Sequence, residues 1–359
     1  MKKAIVTGGS GYLGNILIKK LLNSQWKVIN IDINESDLKN NNLKYYECDI
    51  RDFEKLNKCS EPVDAIFHCV AQVPLAKDKK KFWSVNSEGT ENVCKVAKNL
   101  KIKKIVYISS SAIFGIPNNN PVTEETIPNP AEDYGKAKLN GEKICRKYAS
   151  SELKVIIIRP RTILGHDRLG IMQILFEWIE NNKVLPVLNK GKNIYQFVHV
   201  DDLVNACLLA ENKINNNLEI FNIGTDRFST MYDLLDSLVL KSNSKSKIKS
   251  LSLNFFEIAG KILYFLNLTP LGPYHHIMYG RSLWFDIAKA KNQLGFIPKY
   301  SNNEMIFETY NHYIQSRKII NNKVENLSLH RSSIKKKLLI LAPIFINIFG
   351  RKIKKSSAG

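Results

Sequence analysis

The sequence predicts an α/β protein that is built on a doubly wound parallel sheet. Two observations predict this fold class: apolar runs alternate with helical patterns through the first half, and a glycine-rich turn follows the first run. The length of 359 residues and the hydrophobic content of 44% suit a globular protein of about two domains. We expect a first domain at 1–160, to which later segments return. Residues 161–315 are expected to form mainly a smaller α/β domain, and residues 316–359 a linker with a basic amphipathic tail.

Each predicted element follows from its local pattern. Short apolar runs predict strands, and apolar residues at helical spacing predict the helices that cover them. The predicted strands are 3–7, 27–31, 64–70, 105–109, 155–159 and 220–224. The predicted helices run from the glycine turn to 22 and over 82–100, 134–150, 170–181, 201–212, 253–268, 286–294 and 303–315. The polar stretch 243–250 is predicted to be a loop.

Composition narrows the class of protein. The formal net charge is +20, but lysine supplies most of it, whereas nucleic-acid readers concentrate arginine and aromatic residues on one face. We therefore expect no nucleic-acid partner. The six cysteines include no CxxC pair and no cluster with metal-ligand spacing, which predicts reduced thiols and no metal. No apolar run is long enough to span a bilayer, so we expect a cytoplasmic protein.

A glycine-rich turn reads TGGSGYLG at 7–14, between a strand and a helix. Gly8, Gly11 and Gly14 allow a tight turn and a close approach of a pyrophosphate, which the positive end of the helix attracts. Asp32 ends the second strand, where a carboxylate can accept hydrogen bonds from a ribose and would repel a 2′-phosphate. The pattern predicts NAD as the cofactor.

A second pattern, YGKAK at 134–138, places Tyr134 and Lys138 on one helix face. A phenol is a poor base at neutral pH, but a neighbouring ammonium and a nicotinamide cation stabilise its phenolate. Tyr134 could then exchange a hydroxyl proton while a hydride moves to or from the cofactor. The segment SSSAIFG at 109–115 adds serine hydroxyls at the carboxyl end of a strand, where such sheets bind ligands.

Together these residues resemble the extended short-chain dehydrogenase/reductase superfamily, in its NAD-dependent epimerase/dehydratase branch. The resemblance covers about 1–315 and includes HCVA at 68–71, NSEGTEN at 86–92, IIRP at 157–160 and VHVDD at 198–202. It implies a Rossmann-type domain with a smaller C-terminal substrate domain. It also makes a homodimer a candidate assembly.

The resemblance implies specific residue roles. The catalytic set would be Ser110, Tyr134 and Lys138, although Ser109 or Ser111 could take the place of Ser110. The implied cofactor residues are Gly8, Gly11, Tyr12 and Leu13 at the pyrophosphate, Asp32 at the ribose, Asp49 and Ile50 at the adenine, Val70, Ala71 and Gln72 near the nicotinamide, and Tyr134, Lys138 and Pro160.

Departures from the family pattern bear on the reaction. Dehydratases of this branch follow the catalytic Thr with an Asp–Glu pair, but here Ser111 and Ala112 follow, which disfavours dehydration. Epimerases often have Asn at the position of Thr162 and a basic residue at that of Tyr195. The implied substrate residues are Ser110 together with Arg161 and Arg281, the two candidates for a diphosphate.

The leading expectation is therefore an NAD-dependent epimerase of a nucleotide-activated sugar. The alternative is NAD-dependent oxidation of a hydrophobic or lipid-linked alcohol, because the segment at 281–298 also resembles the 3β-hydroxysteroid dehydrogenase branch. A third reading is a binding protein that senses NAD(H). The Ser110/Tyr134/Lys138 set argues against it, because a sensor needs no groups that transfer protons.

The end of the chain carries two apolar segments. The first, 253–268, is either a buried helix of the second domain or a wall that contacts a hydrophobic substrate or lipid. The second lies within 335–355, where lysines and arginine flank an apolar stretch that is about 20 Å long as a helix, too short to span a bilayer. This pattern fits a helix in an anionic membrane surface, peripheral at the inner face, or a helix docked on a partner or on its own body.

Overall fold

The computed structural model describes residues 1–72, 79–166, 172–265, 277–320 and 342–353. These residues form two compact units. Unit 1 comprises Met1–Ile163, Val198–Gly224 and Phe285–Lys299. Unit 2 comprises Leu164–Phe197, Thr225–Trp284 and Tyr300–Gly359.

Unit 1 contains a seven-stranded parallel sheet. Its strands are β1 Lys3–Thr7, β2 Lys27–Asp32, β3 Leu43–Glu47, β4 Ala65–His68, β5 Lys104–Ile108, β6 Lys154–Pro160 and β10 Leu218–Ile223. They lie in the order β10-β6-β5-β4-β1-β2-β3, and every pair is parallel. The order reverses between β1 and β4, and open α/β sheets bind ligands at the carboxyl ends of the strands beside such a reversal. The predicted Rossmann-type sheet is confirmed.

Helices cover both faces of this sheet, so its central strands are mainly apolar. In register across the sheet, Ile29 on β2, Ile5 on β1 and Ile66 on β4 are each at most 5% exposed. The helices of unit 1 are α1 Tyr12–Asn23, α2 Phe53–Cys59, α3 Lys79–Trp83, a π-helical turn Ser84–Gly89, α4 Thr90–Asn99, a 3₁₀ turn Ser111–Phe114, α5 Asp133–Tyr148, α7 Val200–Lys213 and a π-helical turn Ala290–Leu294.

Unit 2 is built around a small three-stranded sheet. Its strands are β8 Leu185–Leu188, β11 Ile248–Leu251 and β12 Arg351–Lys352, where β8 and β11 are parallel and β12 is antiparallel to β11. Its helices are α6 Met172–Glu180, a 3₁₀ turn Asn189–Gly191, α8 Met231–Lys241, α9 Leu253–Phe265, α10 Asn302–Ile320 and α11 Ala342–Phe349. Phe176, Leu235 and Met305 meet in its core and are 0% exposed. Two short strands, β7 Thr162–Leu164 and β9 Phe197–His199, complete the chain order.

The loop predicted at 243–250 is wrong at its end, because Ile248 begins β11. The strand is half-buried along its length, so no apolar alternation marks it in the sequence. Of the tail predicted at 335–355, residues 335–341 and 354–355 lie outside the described residues; α11 and β12 form the rest. Among the described residues, no helix has both the length and the apolarity needed to cross a membrane.

Candidate active site

The glycine turn after β1 is held by close packing. Gly8 has φ +74°, a conformation that side chains rarely adopt, and a Cβ at this position would lie 2.8 Å from the backbone nitrogen of Val70. A Cβ on Gly14 would lie 2.1 Å from the carbonyl oxygen of Gly8. Any larger residue at either position would displace backbone. The turn therefore contacts both the start of α1 and the segment that follows β4.

The amino end of α1 is suited to an anion. Gly11 precedes the helix and offers no side chain to cap it, and the first turn contains no acidic residue. The amide groups and the helix dipole therefore present positive charge that no carboxylate in the turn offsets. Tyr12 and Leu13 begin the helix, where both are buried.

Asp32 connects the end of β2 to this turn. Its carboxylate accepts hydrogen bonds from the backbone N–H groups of Ser10 and Asn34, each at 3.1 Å. Burial raises the pKa of Asp32, and these backbone hydrogen bonds partly oppose that rise. The carboxylate is therefore fixed beside the turn, and such a group can accept further hydrogen bonds from a diol.

The adenine-side candidates lie after β3. The Asp49 carboxylate accepts the Arg51 guanidinium at 2.6 Å and the Arg51 backbone N–H at 2.9 Å. These bonds lower the pKa of Asp49. Ile50 is buried, and its side chain packs so closely on Gly89 that a Cβ there would lie 2.5 Å from it.

The segment after β4 is clamped by a residue that was not among the predicted site residues. Buried Asn86 accepts a hydrogen bond from the Gln72 backbone N–H at 3.2 Å and donates one to the Gln72 carbonyl oxygen at 3.1 Å. This pair of bonds fixes the end of the segment that contains Val70 and Ala71. Asn86 is the first residue of the NSEGTEN motif, so the sequence marked this residue, but nothing in the sequence indicated that Gln72 is its hydrogen-bond partner.

The three serines after β5 have different surroundings. Ser109 is 3% exposed and donates to the Glu142 carboxylate at 2.5 Å. Ser111 is 3% exposed and accepts from the Arg161 guanidinium at 2.8 Å. Both hydroxyls are therefore engaged in the interior of unit 1.

Ser110 is half-buried, unlike its two neighbours. Its hydroxyl oxygen accepts a hydrogen bond from the Ala112 backbone N–H at 3.1 Å, which caps the 3₁₀ turn that follows. Accepting this bond leaves the hydroxyl hydrogen to be donated. Of the three serines, Ser110 is the one with both exposure and a hydroxyl proton to offer a ligand.

The start of α5 positions Tyr134. The Glu132 carboxylate accepts hydrogen bonds from the backbone N–H groups of Tyr134 and Gly135, each at 2.8 Å, and so fixes the first turn. A Cβ on Gly135 would lie 2.5 Å from the Ala112 carbonyl oxygen, so the helix packs directly on the turn that Ser110 caps. The segment after β5 and the first turn of α5 are thereby brought together.

Lys138 lies one turn after Tyr134 and is only 1% exposed. Its ammonium donates to the Ile108 carbonyl oxygen at 2.6 Å, at the end of β5, and lies 4.3 Å from the centre of the Tyr107 ring. Burial lowers the pKa of Lys138 to about 8, and neighbouring groups, Glu142 among them, oppose the shift. The ammonium is therefore charged at neutral pH but close to its point of titration.

Two buried polar groups that sequence reasoning did not single out support this region. His68, at the end of β4, lies between the hydroxyls of Thr7 at 2.7 Å and Thr90 at 3.0 Å. Burial, together with the charge of Lys138, lowers the pKa of His68 to about 3. The imidazole is therefore neutral and connects β4 to β1 and to α4.

The second group is an ion pair in the interior. Glu142 accepts two hydrogen bonds from the Arg159 guanidinium, at 2.7 and 2.9 Å, and both residues are at most 1% exposed. Because Glu142 also accepts from Ser109, this pair connects α5, β6 and the end of β5. A glutamate two turns after Tyr134 carries no sequence signal that would identify it as a buried partner.

The predicted substrate residues lie in different units. Arg161 follows Pro160 in unit 1, is 1% exposed, and has its guanidinium 5.7 Å from the centre of the Phe285 ring. Arg281 lies in unit 2, where it donates to the Glu257 carboxylate and to the Ile277 carbonyl oxygen at 2.6 Å. Each arginine therefore has a protein partner in its own unit.

Similarity to known proteins identifies the family to which the chain belongs. A model of the NAD dependent epimerase/dehydratase family matches residues 4–224. The chain belongs to this family. It is an extended short-chain dehydrogenase/reductase, and the family is NAD-dependent. The glycine turn, the uncapped amino end of α1 and fixed Asp32 fit that cofactor.

Three known proteins are similar to this chain over two thirds of its length or more. "Uncharacterized protein y4nG" of Sinorhizobium fredii is 45% identical over 349 residues, covering 97% of this chain and 87% of its own length. UDP-glucose 4-epimerase 2 of Oryza sativa subsp. japonica is 28% identical over 288 residues, covering 68% and 71%. A UDP-glucuronic acid 4-epimerase from Bacillus cereus, solved with UDP-glucuronic acid and NAD, has a TM-score of 0.70 at 23% identity and covers 88% and 99%.

Proposed function

We propose that this protein is an NAD-dependent epimerase that acts on a nucleotide-activated sugar. The family is described by two reaction types, epimerisation and dehydration. The choice of nucleotide sugar as the substrate class rests on similarity to UDP-glucose and UDP-glucuronic acid 4-epimerases.

The state of Ser111 and Ala112 carries the choice of epimerisation. Dehydration removes water and requires an acid and a base beside the reacting carbon atoms. Ser111 is buried and bound to Arg161, and Ala112 is 2% exposed and has no titratable group. The turn after Ser110 therefore offers no carboxyl group for water removal, whereas epimerisation requires only the exchange of one hydroxyl proton.

The proposed roles follow from the contacts in unit 1. Ser110 donates its hydroxyl hydrogen to the substrate oxygen, and Tyr134 removes the proton from the reacting hydroxyl. Lys138 stabilises the tyrosinate by its charge and holds the cofactor ribose. Bound NAD supplies a reversible acceptor for a hydride. Because the keto sugar can receive the hydride on its other face, the proton held by Tyr134 returns to the sugar and no cofactor is consumed.

The remaining assignments concern binding. Gly8, Gly11, Tyr12 and Leu13 hold the pyrophosphate, and Asp32 binds the adenosine ribose. The other proposed cofactor contacts are Asp49, Ile50, Val70, Ala71, Gln72 and Pro160. Arg161 and Arg281 are the candidates for the diphosphate of the substrate. In the present structure the Arg161 guanidinium donates to Ser111 and the Arg281 guanidinium donates to Glu257.

The test is turnover of nucleotide sugars by the purified full chain. UDP-glucose, UDP-galactose and UDP-glucuronic acid are incubated separately with protein and NAD, products are separated, and absorbance near 340 nm is followed. We expect interconversion of one sugar pair without lasting NADH. Stoichiometric NADH with a hydrophobic secondary alcohol, and no sugar conversion, would instead establish the dehydrogenase activity of the 3β-hydroxysteroid dehydrogenase branch.

A matched pair of variants connects the activity to the site. Tyr134→Phe removes the proton-transferring hydroxyl and is expected to lower turnover by about 10²- to 10⁴-fold, while NAD affinity, measured by calorimetry, stays unchanged. Tyr148→Phe removes a hydroxyl from the end of the same helix and should leave turnover unchanged. Equal turnover by Tyr134→Phe and wild type would refute the assignment of the base.

A further inference from the structure

Unit 2 presents an apolar surface formed by two helices. We call this surface the α9/α11 face. It consists of exposed side chains, each 49–88% accessible: Phe255, Ile258, Ile262 and Phe265 on α9, and Ile344, Phe345, Ile348 and Phe349 on α11. Scattered exposed apolar residues are ordinary, but eight on two adjoining helices form a patch of the kind that marks an interaction site.

The exposed residues of α9 lie on one side of the helix, at spacings of three, four and three residues. The opposite side is packed on unit 2. Phe256 lies against the Tyr279 ring, with 5.9 Å between ring centres, and Glu257 pairs with Arg281. The helix is therefore anchored by one side, and its other side is an apolar ridge.

The two helices share this surface because α11 is fixed beside α9. The Phe255 and Phe349 rings have centres 6.3 Å apart, so the exposed side chains of the two helices meet at this pair. Ile346 is buried, and the Lys249 ammonium donates to the Asn347 carbonyl oxygen at 2.6 Å. β12 then pairs with β11. The tail thus packs on its own unit and still exposes apolar side chains.

The charges beside the face are positive. Among the described residues at 249–265 and 342–353, four are basic: Lys249, which contacts Asn347 of α11, Lys261 on α9, and Arg351 and Lys352 on β12. In the same two segments Glu257 is the one acidic residue, and the Arg281 guanidinium neutralises it. Exposed apolar side chains bordered by basic residues match the acyl boundary and the anionic headgroups of a bilayer surface.

We propose that the α9/α11 face binds peripherally to an anionic lipid membrane, with its eight apolar side chains in the headgroup boundary and its basic border on the phosphates. The 13 residues of α9 extend about 20 Å as a helix, so the helix lies in the surface and does not cross it. This inference concerns an interaction surface and does not depend on the reaction proposed for unit 1.

Sedimentation with lipid vesicles tests this proposal on the full chain. Wild type is expected to sediment with vesicles that contain phosphatidylglycerol, less with phosphatidylcholine alone, and less as salt concentration rises. Ile258→Asp/Ile262→Asp places two carboxylates in the face and should lower vesicle partitioning at least about tenfold. Ile127→Asp/Ile297→Asp is the matched control, because both isoleucines are exposed in unit 1, and it should partition like wild type.

Sedimentation velocity tests the alternative that the α9/α11 face binds a second copy of this chain. If wild type dimerises, the Ile258→Asp/Ile262→Asp variant is monomeric, and neither binds vesicles, the proposal is overturned in favour of a protein interface. Failure of wild type to bind anionic vesicles at low salt also overturns it. Undiminished vesicle binding by the variant would exclude this face as the contact. Circular dichroism of each variant checks that it is folded.

Discussion

Unit 1 buries several charged side chains, whereas unit 2 exposes several large apolar ones. Both features depart from the usual arrangement, in which charged side chains lie at the surface and apolar ones in the interior. Lys138, Glu142 and Arg159 are at most 1% exposed, while Phe265 and Ile348 of the α9/α11 face are 88% and 68% exposed. Both departures are unfavourable for an isolated folded chain, the first through desolvation and the second through unburied apolar area. They therefore indicate two different kinds of function.

The difference lies in where the compensation comes from. In unit 1 each buried charge has a partner within the same unit, such as Glu142 for Arg159 and the Ile108 carbonyl for Lys138. That compensation comes from within the folded chain, is incomplete for Lys138, whose pKa burial lowers to about 8, and fixes geometry around Ser110 and Tyr134. In unit 2, an external apolar phase would have to compensate the exposed face. The proposed reaction thus depends on internal preorganisation, and the proposed docking on something outside the chain.

The largest expected effect is at the buried ion pair. Glu142→Gln keeps the shape of the side chain but leaves the Arg159 guanidinium buried without its carboxylate. We expect the free energy of unfolding, measured by chemical denaturation, to fall by about 3–5 kcal/mol. The hydroxyl of Ser109 also loses its charged acceptor, so activity should fall even at temperatures where the variant is folded.

An exposed ion pair in the same unit is the control for that comparison. Lys3 and Glu61 lie 3.4 Å apart, with side chains 45% and 41% exposed. Glu61→Gln is expected to change the free energy of unfolding by about 0–1 kcal/mol. Similar losses for Glu142→Gln and Glu61→Gln would mean that burial does not determine how much the Glu142–Arg159 pair contributes to the free energy of unfolding.

The next effect has the opposite sign. The folded-state pKa of Lys138 is about 8, below its ordinary value of 10.5. Folded protein therefore holds a charge at pH 7 that burial disfavours, and wild type gains stability as pH rises from 8 towards 10.5. The shift corresponds to about 3 kcal/mol, and loss of the hydrogen bond to Ile108 offsets about 1 kcal/mol. Lys138→Met should be inactive yet more stable at pH 7 by about 2 kcal/mol.

Denaturation of both proteins across a pH series measures this effect. The stability advantage of Lys138→Met should shrink as pH approaches 10, because wild type then buries a neutral amine. Arg146→Met, which removes a cation from the last turn of α5, is the control. Its difference in stability from wild type should not change as pH approaches 10. A variant that is less stable than wild type at pH 7 would show that the ammonium is compensated by its neighbours.

An effect that builds up as pH falls is expected from His68. Its folded-state pKa is about 3, whereas an unfolded histidine titrates at 6.5. Folded protein therefore binds fewer protons between these values, and its stability is lost as pH falls below 6.5, at about 1.4 kcal/mol per pH unit from this group. His68→Gln does not titrate and should flatten that slope. Equal slopes in variant and wild type would contradict a neutral buried imidazole.

Much of unit 1 could be predicted from sequence because its signals are local. β1 matches the predicted strand at 3–7, and β2 ends at Asp32 as expected. β3 was missed, because this edge strand alternates half-buried and exposed residues and reads LKYYE. In unit 2, β11 was missed because its pairing with β8 and β12 depends on segments far apart in the chain.

The candidate site shows the same limit. The predicted residues on the glycine turn and on α5 could be named because each motif fixes them by spacing. Asn86 and His68 lie in quoted motifs and Glu142 lies in none, but the roles of all three could not be named, because they come from partners at Gln72, Thr90 and Arg159 that only the folded chain brings near. The serines illustrate this best: spacing left three adjacent hydroxyls open, and their different partners distinguish Ser110.

The smallest expected effect is on the stability of the α9/α11 face. Ile262→Ala removes apolar atoms that are already 54% exposed, so the free energy of unfolding should change by less than about 0.5 kcal/mol. Ile157→Ala, at a strand position that is 0% exposed, should cost about 2–5 kcal/mol and calibrates the measurement. A large loss at Ile262 would mean that the folded chain itself buries this side chain. The face would then resemble the interior of unit 1 in its compensation, and it would have no apolar area left to offer a membrane.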